Sequence, residues 1–267
     1  MSDIILNHLK ENKPTMIARF GANEIKAVIY PNLSNFLKPL FKNLIYKRMF
    51  TAAGFYPVNE NNLTLFSKIM KKDIKFLDIL ASWRPEELLL RRSLNHVKKI
   101  KLINLEPYLN SKPWTSHLVG KNVLVVHPFS DLIKSQYLRR KLLFENQSIL
   151  PEFNLITFKS VQSVSGNSRF ANWFEALEYM KSEIDKIKFD ICIIGCGAYG
   201  FPLAAHVKRM GKIGIHMGGC LQILFGIKGR RWDNMKLINK FYNEHWVRPT
   251  LQDRPDNFLK VEDGCYW

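Results

Sequence analysis

Apolar and polar positions along the chain repeat with two different periods. Short apolar runs fall at 15–20, 123–126, 155–158, 189–194 and 212–217. Runs of this length and composition predict strands of a sheet buried on both faces. Elsewhere the apolar spacing lengthens to three and four. Glu24, Ile25, Val28 and Ile29 predict a helix that stops near Pro31, and a second helix runs from Leu132 to about Phe144. Phe170, Trp173, Phe174, Leu177, Met180, Ile184 and Ile187 mark one buried face of a third, after the turn and capping residues Gly166-Asn167-Ser168. The stretch 33–101 reads mostly as helix, with breaks at 53–57 and 82–87, and Pro85 opens a helix over 86–92.

The most informative unit spans 189–217. A strand leads into Gly195-Cys196-Gly197-Ala198-Tyr199-Gly200, a helix follows from Pro202 to Met210, and a further strand closes at Met217. Strand, glycine loop, helix and strand in this order are the grammar of a βαβ unit. The expected fold class is therefore α/β, a Rossmann-like open and mostly parallel sheet flanked by helices. With no internal repeat or low-complexity linker, residues 1–267 are expected to form a single domain, helix-rich over 30–110 with the βαβ core at 120–220.

Charge changes the picture next. Forty Lys plus Arg against 23 Asp plus Glu give a formal net charge of +17. Such a surplus attracts nucleic acid, nucleotide diphosphates or anionic lipid without choosing among them. The cations cluster at Lys38, Lys42, Lys47 and Arg48, at Lys68 to Lys75, and again from Arg91 to Lys101. These read either as solvated helix faces or as a surface resting on an anionic membrane. Residues 1–10 lack the apolar stretch of a signal peptide, and no run reaches the ~18–20 apolar residues of a membrane span. The expected location is cytoplasmic, with peripheral contact at the inner face of the membrane. Cys192, Cys196, Cys220 and Cys265 lack paired zinc spacing and read as buried free thiols.

Candidate chemistry gathers at the predicted strand ends. In the glycine loop, Gly195, Gly197, Ala198 and Tyr199 are placed to bring backbone amides to a phosphate at a helix start. The loop also fits a dinucleotide fingerprint, but the next strand ends in His216 and Met217 rather than in an acid. Alternatively, its glycines serve only close packing of helix on strand. Gly218 and Gly219 form a second loop, followed by Lys228, Arg230 and Arg231, which read as phosphate ligands or as a solvated basic turn. At the first strand end, Arg19, Gly21, Asn23 and Glu24 suit an anion and a sugar hydroxyl or metal, or a plain ion pair. His127, Asp131 and His216 are candidate general bases for an acceptor hydroxyl, or hydrogen-bonded structural residues.

Three blocks together resemble the GT-D type of bacterial glycosyltransferase, the family of the glucosyltransferase that modifies streptococcal serine-rich adhesins. Ile17-Ala18-Arg19-Phe20-Gly21-Ala22-Asn23-Glu24 is similar to its Arg-x-Gly-Asp-Gly-Glu block. The stretch 123–131 sits at its second strand and loop, and 194–219 resembles its glycine loop, helix and next strand. The resemblance implies transfer of a hexose from a nucleoside-diphosphate sugar to a surface polysaccharide, glycan or lipid-linked acceptor. It also implies Mn or Mg held by an Asp-x-Glu motif. Glu24 matches the Glu, but Ala22 stands where the family has Asp, so a metal would rest on Glu24 alone. Two rival readings remain: a catalytically degenerate nucleotide-sugar or glycan-binding protein on the same fold, and a basic nucleic-acid binder, for which no recognition motif is present.

Overall fold

The expected strands all form, and two more join them. The computed structural model describes residues 3–166, 168–255, 258–261 and 263–267. Its strands are β1 (Thr15–Ala18), β2 (Ile79–Ser82), β3 (Lys98–Lys101), β4 (Asn122–His127), β5 (Asn154–Lys159), β6 (Ile191–Ile194) and β7 (Ile213–His216). They make one sheet in the order β3-β2-β1-β7-β6-β4-β5 with every pairing parallel. This is the expected open α/β sheet.

The unforeseen strands correct the helical reading of 33–101. β2 is only four residues long and comes four residues after the end of a helix, so its period is too short to stand out. β3, Lys98-Lys99-Ile100-Lys101, forms one edge of the sheet and buries only Ile100. Lysines on an edge strand hinder pairing with another chain. Part of the basic surplus therefore protects the sheet edge rather than decorating a helix.

The helices are α1 (Asp3–Lys10), α2 (Ala22–Ile29), α3 (Lys38–Thr51), α4 (Glu60–Ile74), α5 (Ser130–Leu138), α6 (Trp173–Asp185), α7 (Gly200–Arg209) and the short α8 (Leu221–Leu224). Pro85 opens a 3-10 helix, Pro85–Leu90, rather than an α-helix. α6 is capped by Asn172, whose side chain accepts the Glu175 N–H at 3.0 Å; Asn167 of the expected turn lies outside the described residues.

Side chains alternate cleanly through the sheet. Met16, Ala18, Leu80, Leu124, Val126, Cys192 and Ile194 pack on α2, α3, α4, α6 and α7. Ile17, Ile79, Ala81, Val123, Val125, Ile193 and Ile215 face the other way, onto α1, α5, α8 and the closing segment around Trp232, Trp246 and Trp267. The four cysteines are buried and form no disulfide. Among the described residues no helix is long and apolar enough to cross a membrane.

This arrangement opens the sheet at one place. β1 and β7 are neighbours, yet β1 continues into α2 on one face while β7 continues into α8 on the other. Adjacent strands whose connections leave to opposite faces create a crevice at their carboxyl ends.

α7 is drawn tightly against the sheet beside this crevice. A Cβ on Gly214 of β7 would lie 2.6 Å from the Ala204 carbonyl oxygen. The obstacle is helix backbone, which cannot swing aside. Gly214→Ala is expected to destabilise the protein by roughly 1–3 kcal/mol, the usual penalty of overpacking, read as a lowered midpoint in urea.

Candidate functional site

A cavity of about 750 Å³ lies over the carboxyl ends of the strands. That volume is in the range of pockets that bury a small organic ligand. Every strand sends residues to its wall: Arg19 and Gly21 to Glu24 after β1, Trp83 after β2, Glu106 after β3, His127 to Phe129 at the end of β4, Val161 to Val164 after β5, Cys196 and Gly197 after β6, and Gly218 to Cys220 after β7.

Arg19 occupies the crevice between β1 and β7. Its Nε donates to the Phe20 carbonyl at 3.1 Å, and its guanidinium lies 4.6 Å over the Trp83 ring. A Cβ on Gly218, whose φ is +71°, would come within 2.8 Å of the Arg19 Nη1. Glycine at 218 thus serves both the left-handed backbone and the room that Arg19 needs. Among the described residues, Arg19 makes no ion pair within contact distance.

Trp83 is itself held firmly. Its indole N–H donates to the Phe20 carbonyl at 2.8 Å. The buried Glu87 carboxylate accepts the N–H groups of Trp83 and Arg84, both at 3.2 Å, and the Ser82 hydroxyl. A carboxylate at the start of the Pro85–Leu90 turn satisfies amides that otherwise lack partners.

Glu106 is a candidate residue that the sequence pattern does not reveal. It lines the cavity in the segment after β3. Burial lifts its carboxyl above the ordinary carboxylate range, while the Tyr108 hydroxyl and the nearby Arg19 charge pull it part of the way back. The Cys220 thiol, bonded to the Met217 carbonyl at 3.0 Å, belongs to the same cluster and is pushed up by burial. A carboxyl with raised proton affinity facing a cleft is a natural general base. The available signal was positional: a Glu just beyond a strand end, visible only once β3 is recognised.

The residues expected from the sequence fall into three groups. Arg19, Gly21, Asn23 and Glu24 all line the cavity. The Glu24 carboxylate folds back over Gly21, where a Cβ would sit 1.8 Å from its Oε2. Ala22 adds no donor, and the described residues contain no group of three or more metal-ligating side chains. This donor set does not fit a protein-held Mn or Mg.

In the glycine loop, most of the expected cradle is already committed. The Gly195 N–H bonds the Val126 carbonyl at 2.9 Å, Ala198 bonds Ala53 at 3.1 Å, and Tyr199 bonds Cys196 at 3.3 Å. A Cβ on Gly195 would meet the Gly218 oxygen at 2.7 Å, and one on Gly200 would meet the His216 ring at 2.1 Å. Glycine at these two positions permits close packing of loop on loop and of helix on strand. Tyr199 is structural too: its ring stacks on Trp173 at 5.3 Å and its hydroxyl bonds Ser163 at 2.6 Å. In the second loop, Gly218 faces Arg19, and Gly219 lies under Tyr266, whose hydroxyl accepts from Arg231 at 2.9 Å.

The third group departs from the site or from its assigned role. Asp131 is exposed on α5 and absent from the cavity wall, because the helix start turns it outward. Lys228 lies over the Tyr242 ring at 5.2 Å, and Arg230 bonds the Asp263 carbonyl at 3.1 Å; neither lines the cavity. His127 and His216 do line it, but burial pushes both down to about 3. Bases that weak take little part in deprotonating a hydroxyl near neutrality. The Phe129 N–H donates to His127 Nδ1 at 3.0 Å, which leaves the proton on Nε2. His216 Nδ1 lies 3.3 Å from the Ile194 carbonyl, an acceptor only, so its Nε2 is unprotonated. One ring offers a donor and the other an acceptor.

No family model matches the chain, and no curated protein matches it. Among solved structures, the chain is similar to a selenomethionine-substituted structure of a domain of unknown function, DUF1792. That likeness has a TM-score of 0.47 at 13% identity and covers 94% of this chain and 91% of the other.

The two buried imidazoles have a consequence for stability. Each stays neutral in the fold and takes a proton near 6.5 when unfolded. Their contribution is complete above pH 6.5 and is lost as pH falls toward 3, at about 1.4 kcal/mol per pH unit for each ring. His127→Asn, which keeps an acceptor for the Phe129 amide, is expected to flatten the acid limb of stability against pH by that amount in urea titrations.

Proposed function

We propose that the chain is a glycosyltransferase that moves a sugar from a nucleoside-diphosphate sugar to a surface polysaccharide or glycan acceptor. The observation that carries this reading is the meeting of Arg19 and Glu106 in one cavity at the strand ends. A guanidinium with no ion pair within contact distance among the described residues suits the leaving diphosphate, and a carboxyl of raised proton affinity suits the attacking hydroxyl. The three blocks that resemble the GT-D type support the same reading.

The step follows from these roles. The acceptor oxygen forms a bond to the anomeric carbon while the bond from that carbon to the β-phosphate oxygen breaks. Glu106 takes the hydroxyl proton, and the electron pair of the broken bond stays on the diphosphate. Arg19 offsets that charge as it develops, where a fixed cation gives the most help. Trp83, Phe129 and Trp267 supply apolar wall for sugar or base. The His127 Nε2–H and the His216 Nε2 lone pair are hydrogen-bonding partners for substrate.

The same cavity on a protein that binds nucleotide sugar without transferring it is the second reading, favoured by Ala22 at the family's Asp position. A thermal-shift screen with nucleoside diphosphates, their sugars, nucleoside monophosphates and NAD tests binding. Ligand at a hundred times its dissociation constant adds about 2.7 kcal/mol. A shift with one diphosphate class, and not with NAD, is expected; no shift with any nucleotide would sink both readings.

Transfer is tested separately through Glu106→Gln. The variant should still show the nucleotide shift but lose transfer by roughly 10²–10⁴-fold. In the unaltered protein the acid limb of kcat/KM should lie above 4.5, the ordinary Glu value, and vanish in the variant. Unchanged turnover in Glu106→Gln would remove it as the base.

A further inference from the structure

α3 is apolar on two sides. Ile45 and Met49 are buried against the core. On the outer side Leu40 is 68% exposed, Phe41 44% and Leu44 50%, and the turn before the helix adds Phe36 at 81% and Leu37 at 37%. Positions 37, 40, 41 and 44 follow the spacing of a single helical stripe. Scattered exposed leucines are ordinary, but a contiguous ridge of this kind marks a contact surface.

The surroundings of the ridge say what it meets. No Asp or Glu occurs between Glu24 and Glu60, whereas Lys42, Lys47 and Arg48 are exposed on the same helix. Lys42 Nζ lies 5.5 Å over the Tyr46 ring, and Lys38 pairs with Glu60 at 3.2 Å. Leucine and phenylalanine side chains on a segment with no acid of its own, beside cations and with Glu60 neutralised by Lys38, match an anionic bilayer. The apolar side chains enter the acyl boundary while the ammonium groups meet phosphates. The helix then runs directly into Ala52, Ala53 and Gly54, which form part of the cavity wall.

We propose that the stripe Phe36, Leu37, Leu40, Phe41 and Leu44, with Lys42 and Lys47, is a docking surface for an anionic lipid bilayer, on which α3 lies in the headgroup plane. This inference rests on α3 and is independent of what the cavity binds.

Flotation of the full chain with vesicles tests it. One set is phosphatidylcholine alone, and the other contains equal parts phosphatidylcholine and phosphatidylglycerol. The chain should float with the anionic vesicles and only weakly with the neutral ones, and added salt should reduce binding. Two variants, Leu40→Ser/Phe41→Ser/Leu44→Ser and Lys42→Glu/Lys47→Glu, should each lose at least about tenfold in apparent affinity. Because these side chains are exposed, circular dichroism and the melting midpoint should be unchanged. Failure to float with either vesicle, or equal flotation of both variants, would overturn the proposal. So would a concentration-dependent dimer in ultracentrifugation that the serine variant abolishes, which would assign the ridge to a second copy of the chain.

Discussion

Two parallel strands lie side by side and send their chains to opposite faces of the sheet, and the site exists because they do. β1 turns into α2 on one face and β7 into α8 on the other, so no connection fills the space above their ends. Arg19 enters that space from the end of β1. Gly218, in a left-handed conformation at the end of β7, leaves room for it. Trp83 closes one side with its ring against the guanidinium. Moving any of the three would disturb the other two, since Trp83 and Arg19 both bond the same Phe20 carbonyl.

A desolvated rim surrounds this cation. His127, His216 and Cys220 are all buried to the extent that their neutral forms dominate, and Glu106 is shifted the same way. The common cause is removal from water, which penalises every charged form. In such surroundings a fixed guanidinium interacts more strongly with a ligand anion than it would at an open surface. The same burial makes the histidines poor bases and leaves Glu106 as the side chain suited to accept a proton.

Much of the sheet was legible in the sequence. The β-branched runs at 123–126 and 191–194 could hardly form anything but buried strands, and the glycine loop announced a βαβ crossing. β2 and β3 were not legible. One is four residues long behind a helix, and the other has lysine at three of its four positions because it lies on the edge. The place of Arg19 and Glu24 at a strand end, where they line the cavity, was legible because they follow a recognisable strand. Glu106 was missed because its environment comes from Tyr108 and from Cys220, which lies more than a hundred residues away in the chain. The glycine loop is a different case. Its spacing suggested a phosphate cradle, yet the amides of Gly195, Ala198 and Tyr199 are consumed by backbone carbonyls. A spacing pattern records where glycine is required, not whether a ligand or a neighbouring chain segment requires it.

The central claim is that Arg19 is the diphosphate anchor of this cavity. Isothermal titration of a nucleoside diphosphate and its parent nucleoside into the unaltered protein and Arg19→Gln addresses it most directly. Loss of a charge-assisted contact predicts a fall of at least about tenfold in diphosphate affinity, with nucleoside affinity unchanged. Equal diphosphate affinity in the two proteins would contradict the account and move the anion elsewhere.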